Sequence, residues 1–376
     1  MKQKISILAL GKAGSKIAKA FDGYAANTFY INSHKEEMDL LEGNYFIPGE
    51  EAYDGENAVK LCVDGAGTGR SPNLGQKLAN KHRESVFDFI SHAFEGYKGI
   101  VLVTVGGGGR SGTGFAPVVA EILEELRIKF GFIYTLPLKS EGSPAIPNAA
   151  NGLNNLVSVL KGTRVAPFFL FDNELMLSEI GEGHDDYWEI INERIAKIMM
   201  FTDLLNEDST DITSFNTFDE REFNRIFRLV KGGNDIGFND IKSFGLDVDN
   251  VAESFKLGMK ETSMTTMKGY EYPSAAGLLV VVERPRLFDN DDNTAITELF
   301  DLISRKYKGK TMLKSVVKTD AEVHTVNILF SGMNTPTFVN KFITQAKKLL
   351  ETGKRKRDAK ARVSAVKFDD DFSDFE

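Results

Sequence analysis

The chain has 376 residues, of which 42% are hydrophobic and 27% are charged, and its formal net charge is -8. These values are those of a globular protein of about two domains, and the acidic balance argues against nucleic-acid binding by the surface as a whole. The single cysteine, Cys62, excludes an intramolecular disulfide and a cysteine-rich zinc site, and the five histidines show no metal-ligand spacing.

The N-terminus leads directly into the apolar run Ile5–Leu10, with no signal-peptide cleavage site between them. No apolar stretch of 18 residues occurs anywhere in the sequence. We therefore expect a cytoplasmic protein with no membrane partner.

The first half of the sequence alternates short apolar runs with segments of helical periodicity. The runs predict strands over Ile5–Leu10, Thr28–Ile31, Ile100–Val105, Phe130–Leu136 and Pro167–Phe171, with helices at about 15–25, 74–94, 115–127 and 149–160. This alternation predicts an α/β fold with a largely parallel sheet wrapped by helices. Such sheets bind ligands at the carboxyl ends of their strands, and every candidate motif in this half follows a strand end.

A glycine-rich loop follows the strand predicted at Ile100–Val105. Its sequence is Gly106-Gly107-Gly108-Gly109-Arg110-Ser111-Gly112-Thr113-Gly114. Backbone N–H groups at a helix N-terminus form an anion site, which a phosphate fits. Each glycine costs about 1 kcal/mol relative to alanine, whereas a hydrogen bond from N–H to a charged acceptor contributes about 1.5–3 kcal/mol. A flexible linker is the alternative, but it does not account for a buried strand on one side and an amphipathic helix on the other.

Two common phosphate-binding motifs are excluded. The chain contains no Gly-Lys-Ser or Gly-Lys-Thr, because Gly11-Lys12 is followed by Ala13, so there is no P-loop. The glycines after the first strand also lack the G-x-G-x-x-G spacing of a dinucleotide site.

The segment Val105 to Val118 resembles the tubulin/FtsZ signature G-G-G-T-G-[ST]-G followed by Ala-Pro-Val, here Ala116-Pro117-Val118. Arg110 stands where that superfamily has its third glycine, and Ser111 where it usually has threonine. The arginine adds a charge to the phosphates or points into a subunit contact, and the sequence leaves both open. The resemblance implies GTP/GDP and Mg²⁺ as cofactors and a Rossmann-like GTPase domain joined by a central helix to a smaller α+β domain.

Two further loops resemble phosphate loops of the superfamily. The first is Gly11-Lys12-Ala13-Gly14-Ser15 after the first strand, for which a simple strand-to-helix turn is the alternative. The second is Gly65-Ala66-Gly67-Thr68-Gly69, which with Pro72 and Gly75 matches the loop that closes on the γ-phosphate. Asn32 falls at the position near the ribose and Mg²⁺, but His34 replaces the aspartate of the family there, so the metal ligands stay unknown.

The resemblance also implies contacts to the sugar and the base. Glu141 occupies the carboxylate position of the sugar-contacting loop, and Asn173 lies near the base, with Asp172 as the alternative. Asn192 stands where the family has an asparagine that hydrogen-bonds guanine. It belongs to a clear amphipathic helix at 187–205, and an exposed helix asparagine is the other interpretation.

The residues Ser214 to Phe223 resemble the catalytic loop of the superfamily, which reaches the nucleotide of the next subunit. Asp219 and Glu222 hold the positions of its two acidic residues. The same spacing is typical of a helix N-terminal capping pattern, and a capped helix is also a rigid mount for a catalytic carboxylate.

The remainder predicts turns from about 232 to 250 and then strands at Ala275–Val282, Thr311–Val317 and Val323–Phe330, with helices at about 294–307 and 336–351. The predicted units are a nucleotide-binding domain at 1–186, a central helix at 187–206, the catalytic loop and its helix at 207–232, an α+β domain at 233–353 and a disordered charged tail at 354–376.

We thus expect a GTPase that polymerises head to tail, nearest to the TubZ branch that segregates plasmid and phage DNA. The divergent glycine loop, the Thr-Phe-Asp-x-x-Glu-Phe form of the catalytic loop and the charged tail favour that branch. A DNA-binding adaptor would bind the tail, and direct DNA binding is not expected. The alternatives are a division scaffold of the FtsZ type, although its C-terminal partner peptide is not found, and a nonpolymerising nucleotide-binding enzyme.

Overall fold

The computed structural model describes residues 5–47, 58–64, 72–142, 144–163, 165–181, 186–197, 220–230, 236–261, 263, 265, 269–285, 292–344, 346 and 348. Some predicted residues lie outside these ranges. They are Gly65, Ala66, Gly67, Thr68, Gly69, the predicted central helix from 198 to 206, the predicted catalytic loop from 207 to 219 with Asp219, and the tail at 354–376.

The described residues form a sheet covered by helices on both faces. In chain order the elements are β1 Ile5–Leu10, α1 Gly11–Lys19, β2 Thr28–Asn32, α2 Lys35–Asp39, β3 Asn44–Tyr45, β4 Ala58–Cys62, α3 Pro72–Lys81, α4 Arg83–Ala93, β5 Ile100–Gly106, α5 Ser111–Glu125, β6 Phe130–Leu136, α6 Ala145–Val159, β7 Val165–Asp172, α7 Asn173–Ile180, α8 Tyr187–Ala196, α9 Glu220–Phe227, β8 Ile236–Gly245, α10 Val251–Glu261, β9 Gly277–Pro285, α11 Asp292–Lys306, β10 Thr311–Thr319 and β11 Thr325–Met333.

The first half of the sheet is parallel throughout. Its strands lie in the order β7-β6-β5-β1-β2-β4-β3, and each neighbouring pair is parallel. Every residue of β1, β5, β6 and β7 is buried. A strand covered on both faces is a continuous apolar run in sequence, which is why the pattern located these four strands. The predicted parallel α/β fold is confirmed.

The sheet continues without a break into the second half of the chain. β8 pairs in parallel with β7, β11 pairs antiparallel with both β8 and β9, and β10 pairs in parallel with β9. Among the described residues this gives one sheet of eleven strands, with β10 and β3 at its two edges.

The prediction of turns up to residue 250 is wrong at 236–245, where β8 lies in the middle of the sheet. The polar residues of β8 resemble a turn in the sequence, but Asn239 and Asp240 are fully buried and hydrogen-bonded in the sheet. The partners that satisfy them lie far away in sequence, as for Ser331, whose Oγ is 3.0 Å from Asn239 Nδ2. Local polarity therefore predicted a turn where long-range contacts form a strand.

The two faces of the sheet carry two apolar clusters, and β1 contributes alternate residues to them. Leu8 and Leu10 pack with α4, α5 and α6 on one face. Ile5, Ile7 and Ala9 pack on the other with α1, α8 and α9. Because α1 and α8 share this second face, α8 lies beside the N-terminal part of α1, at the strand ends described next.

Several helix boundaries differ from the prediction. The helix predicted at 74–94 is two helices, α3 and α4, and α5 begins at Ser111, inside the glycine-rich loop. In the described part of the last predicted helix, residues 337–344 are helical. No helix within the described ranges has the length and apolar character that crossing a membrane requires.

Candidate functional site

A cavity of about 650 Å³ opens at the carboxyl ends of β1, β5, β6 and β7. Its volume falls within the range of small-molecule sites. It brings together these predicted residues: Gly11, Lys12, Ala13, Gly106, Gly108, Gly109, Arg110, Ser111, Gly112, Glu141, Asn173 and Asn192. Residues from five separate stretches of the chain thus converge on one site.

Two helix N-termini meet in the wall of this cavity. Gly11 begins α1 and Ser111 begins α5. A Cβ on Gly11 would lie 2.8 Å from the Gly112 nitrogen, and one on Gly112 would lie 2.6 Å from the Leu10 carbonyl oxygen. Gly11 also has φ +68°. Only glycine permits this approach, which directs two positive helix ends at the same place.

Three cationic side chains line the cavity, Lys12, Lys16 and Arg110. Lys12 Nζ lies 3.3 Å from Glu37 Oε1. Asn32 lies behind this pair, with Nδ2 donating to Glu37 Oε2 at 2.9 Å. Asn32 therefore positions a carboxylate of the wall and is itself 2% exposed.

Glu141 lies in the wall where β6 ends. The Leu138 N–H donates to Glu141 Oε1 at 2.9 Å. A Cβ on Gly108 would lie 2.7 Å from Glu141 Oε2, so the glycine leaves room for the carboxylate. Burial raises the pKa of Glu141, and the Leu138 hydrogen bond opposes that rise. A carboxylate here can accept hydrogen bonds from hydroxyl groups of a ligand.

Asp172 ends β7 and Asn173 follows it, and the two side chains have different environments. Asp172 caps α7, since its Oδ1 accepts from the N–H groups of Glu174 and Leu175 at 3.1 and 3.3 Å. Burial raises the pKa of Asp172, and these hydrogen bonds oppose the rise. Asn173 lines the cavity, and its buried Oδ1 accepts no hydrogen bond from any residue in the described ranges. Such an acceptor costs about 1–3 kcal/mol, which a ligand donor would recover.

α8 supplies Trp188 and Asn192 to the cavity, one helical turn apart. Trp188 falls in the amphipathic helix predicted at 187–205, but no sequence pattern assigned it to the site. The signal was its spacing, because residues i and i+4 share one helix face. The Trp188 ring also packs on Tyr187, with centroids 4.6 Å apart, and presents an aromatic surface to a ligand.

Besides Asn32, four predicted ligand residues in the described ranges do not line the cavity. Gly14, Gly107 and Gly114 lie at close contacts, where a Cβ would be 2.4 Å from Thr104 O, 2.6 Å from Thr135 O and 2.7 Å from Gly75 Cα. Thr113 donates its hydroxyl to Gly109 O at 2.8 Å. Part of the glycine pattern thus serves the packing of strands and helices behind the site.

Glu222 lies on α9, away from the cavity-lining residues, and is exposed. Its helix is anchored by Phe223, Ile226 and Phe227, which pack against the sheet. The described residues contain no group of three or more His, Cys, Asp or Glu that could hold a metal ion.

Residues 4–180 match the family model "Tubulin/FtsZ family, GTPase domain". A tubulin-like protein CetZ from Pyrococcus horikoshii is 30% identical over 216 residues, which is 54% of this chain and 55% of the relative. A tubulin-like protein TubZ from Bacillus cereus is 23% identical over 263 residues, 66% of this chain and 57% of the relative. The chain thus aligns with little more than half the length of these two relatives.

The fold is similar to that of TubZ in the crystal structure of a GTPγS-form protofilament from Bacillus thuringiensis serovar israelensis. The TM-score is 0.72 at 17% identity, covering 96% of this chain and 95% of that one. Residues 4–180 are therefore similar to the GTPase domain of the tubulin/FtsZ family, and the chain has the tubulin/FtsZ fold.

Proposed function

We propose that the protein is a GTPase that binds GTP in this cavity and polymerises head to tail in the cytoplasm. The observation that carries the proposal is the meeting of two helix N-termini, at Gly11 and Ser111, in a cavity that also holds Lys12, Lys16 and Arg110. Oriented N–H groups and cations in a concave site are the chemistry that binds a polyphosphate.

The cavity has the polarity that a nucleoside triphosphate requires. The cations and helix ends lie near β1 and β5 and would hold the phosphates. Glu141 would bind the ribose, Asn173 and Asn192 would bind the base edge, and Trp188 would pack on the base. Mg²⁺ stays a prediction, and no step of the proposed hydrolysis depends on it.

Hydrolysis would be completed between subunits. Backbone N–H groups of the glycine-rich loop would stabilise the charge that develops on the terminal phosphate. A second subunit would present Asp219 and Glu222, which would orient the attacking water. The exposure of Glu222 on a well-anchored helix supports this role, and the TubZ relative of similar fold crystallised as a protofilament.

The decisive measurement is phosphate release per subunit against protein concentration, with GTP and ATP in parallel. We expect a GTP-specific rate that rises steeply above a threshold concentration. Asp219→Ala should abolish turnover and leave the nucleotide bound. A rate per subunit that does not depend on concentration, or equal use of ATP, would contradict the proposal.

The cellular role we propose is segregation of plasmid or phage DNA through an adaptor that binds residues 354–376. The TubZ relative supports it, while the equally similar CetZ relative shows that the superfamily match alone does not select a role. Deletion of 354–376 should preserve GTP hydrolysis and release plasmid DNA that otherwise co-sediments with filaments in host extract. Co-sedimentation that survives the deletion would contradict the role of the tail. Plasmid DNA that does not co-sediment with filaments of the intact chain would contradict the segregation role and favour a division scaffold.

A further inference from the structure

Arg110 is the one long cationic side chain inside the glycine-rich loop Gly106 to Gly114. It directly precedes α5, is half-buried and lines the cavity. The signature that this loop resembles has a glycine at that position. A guanidinium thus stands where the pattern calls for bare backbone.

The backbone that carries this side chain is held from three sides. The Arg110 carbonyl accepts the Gly114 N–H at 3.0 Å and the Thr113 hydroxyl at 3.3 Å. A Cβ on Gly75 of α3 would lie 2.6 Å from the same oxygen. The next residue, Ser111, shares a hydrogen bond of 2.8 Å with the Ser33 hydroxyl, just after β2. The origin of the Arg110 side chain is therefore fixed relative to the sheet.

The strand order gives the cavity two chemically different ends. Asn173 follows β7, and Glu141 follows β6. The sheet then runs through β5 and β1 to β2, where the Ser33 to Ser111 hydrogen bond places the start of α5. Arg110 thus lies towards the β1 and β2 end, together with the helix N-termini and opposite the neutral amide of Asn173.

The charges on the lining residues also favour an anion at this end. Lys12 is paired with Glu37 at 3.3 Å, and Glu141 lies beside Gly108, at the β5 end of the glycine-rich loop. Lys16 and Arg110 add further positive charge. A guanidinium is planar and binds two phosphate oxygens at once, which makes it more selective for phosphate geometry than an ammonium.

We infer that Arg110 is a built-in ligand of the terminal phosphate and sets the preference of the site for nucleoside triphosphate over diphosphate. The inference rests on the proposed nucleotide site. A nucleotide whose base reaches Asn173 directs its phosphates along the sheet towards Arg110. The γ-phosphate adds its charge at the far end, where Arg110 is placed to meet it. Loss of the arginine therefore weakens the binding of a nucleoside triphosphate more than that of a diphosphate.

The test compares Arg110→Gly with Arg127→Gly as the matched control. Arg127 is exposed at the other end of α5 and has φ +56°, which glycine adopts without strain. Both variants lose one positive charge. Dissociation constants for GTPγS and GDP are measured by titration calorimetry on the full chain, below the concentration at which it assembles.

We expect Arg110→Gly to raise the dissociation constant of GTPγS by about tenfold or more and that of GDP by less than about threefold. The reason is that the charged hydrogen bond to the γ-phosphate is lost only for the triphosphate. Arg110→Lys should fall between, and Arg127→Gly should change neither value. An unchanged ratio of the two constants in Arg110→Gly overturns the inference, and a raised assembly threshold at that unchanged ratio assigns Arg110 to a subunit contact instead. Wild-type protein that binds neither nucleotide would contradict the proposed function itself.

Discussion

Two regions of the same sheet differ in whether their buried polar atoms are hydrogen-bonded. One is the cavity, and the other is a polar cluster formed by Asp240, Ser263, Thr265 and Tyr272. Asp240 on β8 is fully buried and accepts four hydrogen bonds, from the Ser263, Thr265 and Tyr272 hydroxyls at 2.7–2.9 Å and from the Thr265 N–H at 3.2 Å. Asn173, 4% exposed, keeps an acceptor that no residue in the described ranges satisfies. The satisfied carboxylate stabilises the fold, whereas the unsatisfied amide oxygen lies in a cavity wall, where a ligand can reach it.

The Asp240 cluster also supports the cavity from behind. The Thr265 carbonyl accepts the Asp172 N–H at 3.2 Å, directly before Asn173. The Ser263 carbonyl accepts from Arg194 Nη2 at 2.9 Å, and Arg194 lies on the helix that carries Asn192. One buried carboxylate thus orders the two segments that present amides to the cavity.

The largest effect is expected from Asp240→Ala. Removing the carboxylate leaves three hydroxyls without their acceptor and the buried Lys242 without the nearby negative charge that favours its protonated form. We expect a loss of about 3 kcal/mol or more in the free energy of unfolding. Urea denaturation measures it, with Asp88→Ala at an exposed site on α4 as the control. A loss below about 1 kcal/mol would show that the cluster is not a structural centre.

Gly112→Ala tests whether the glycines of the site are required by the backbone contact. The added methyl group would lie 2.6 Å from the Leu10 carbonyl oxygen, so we expect a loss of about 2 kcal/mol. GTPγS binding should weaken together with stability, because the two helix ends must move apart. Gly245→Ala is the control, since its nearest neighbour would be His324 O at 4.0 Å. Equal losses of stability and of GTPγS binding in the two variants would show that the close contact at Gly112 does not require glycine.

A pair of asparagines sharpens the comparison directly. Asn239 is satisfied, with Nδ2 donating to Ser331 Oγ at 3.0 Å and to Phe227 O at 3.3 Å, and Asn239→Ala should cost about 2 kcal/mol of stability. Asn173→Ala should change the stability of the ligand-free protein by less than about 0.5 kcal/mol and lower the affinity for GTPγS about tenfold. Thermal unfolding with and without GTPγS separates the two. The reverse pattern would contradict the assignment of Asn173 to a ligand.

The smallest effect concerns pH. Burial raises the pKa of Glu141 above its ordinary 4.5, so the folded state binds its proton more tightly than the unfolded state. The contribution of Glu141 to stability is therefore complete below pH 4.5 and is lost as pH rises through the folded-state value. Glu141→Gln should flatten this part of the stability profile, whereas Glu121→Gln at an exposed site on α5 should not. An unchanged slope would show that the carboxyl is not perturbed.

The sequence predicted the parts of the molecule that local pattern controls. Strands β1 and β6 match their apolar runs residue for residue, and Gly11 and Gly112, which motifs alone assigned to the nucleotide site, line the cavity. Strand β8 was missed because the partners of Asn239 and Asp240 lie elsewhere in the chain, and no local pattern carries that information. The same reason hid the packing role of Gly114, which depends on a helix crossing.

The junction between β1 and α1 contains no connecting residue, because Leu10 ends the strand and Gly11 begins the helix. One inserted residue would turn α1 by about 100° and shift it by about 1.5 Å. Lys12 and Lys16 would then leave the cavity. The open turn at Gly96, where nothing lies within 4 Å of an added Cβ, has no such constraint. A fluorescent tag therefore belongs at such a turn, and relatives of this chain should vary in length there rather than at the first strand.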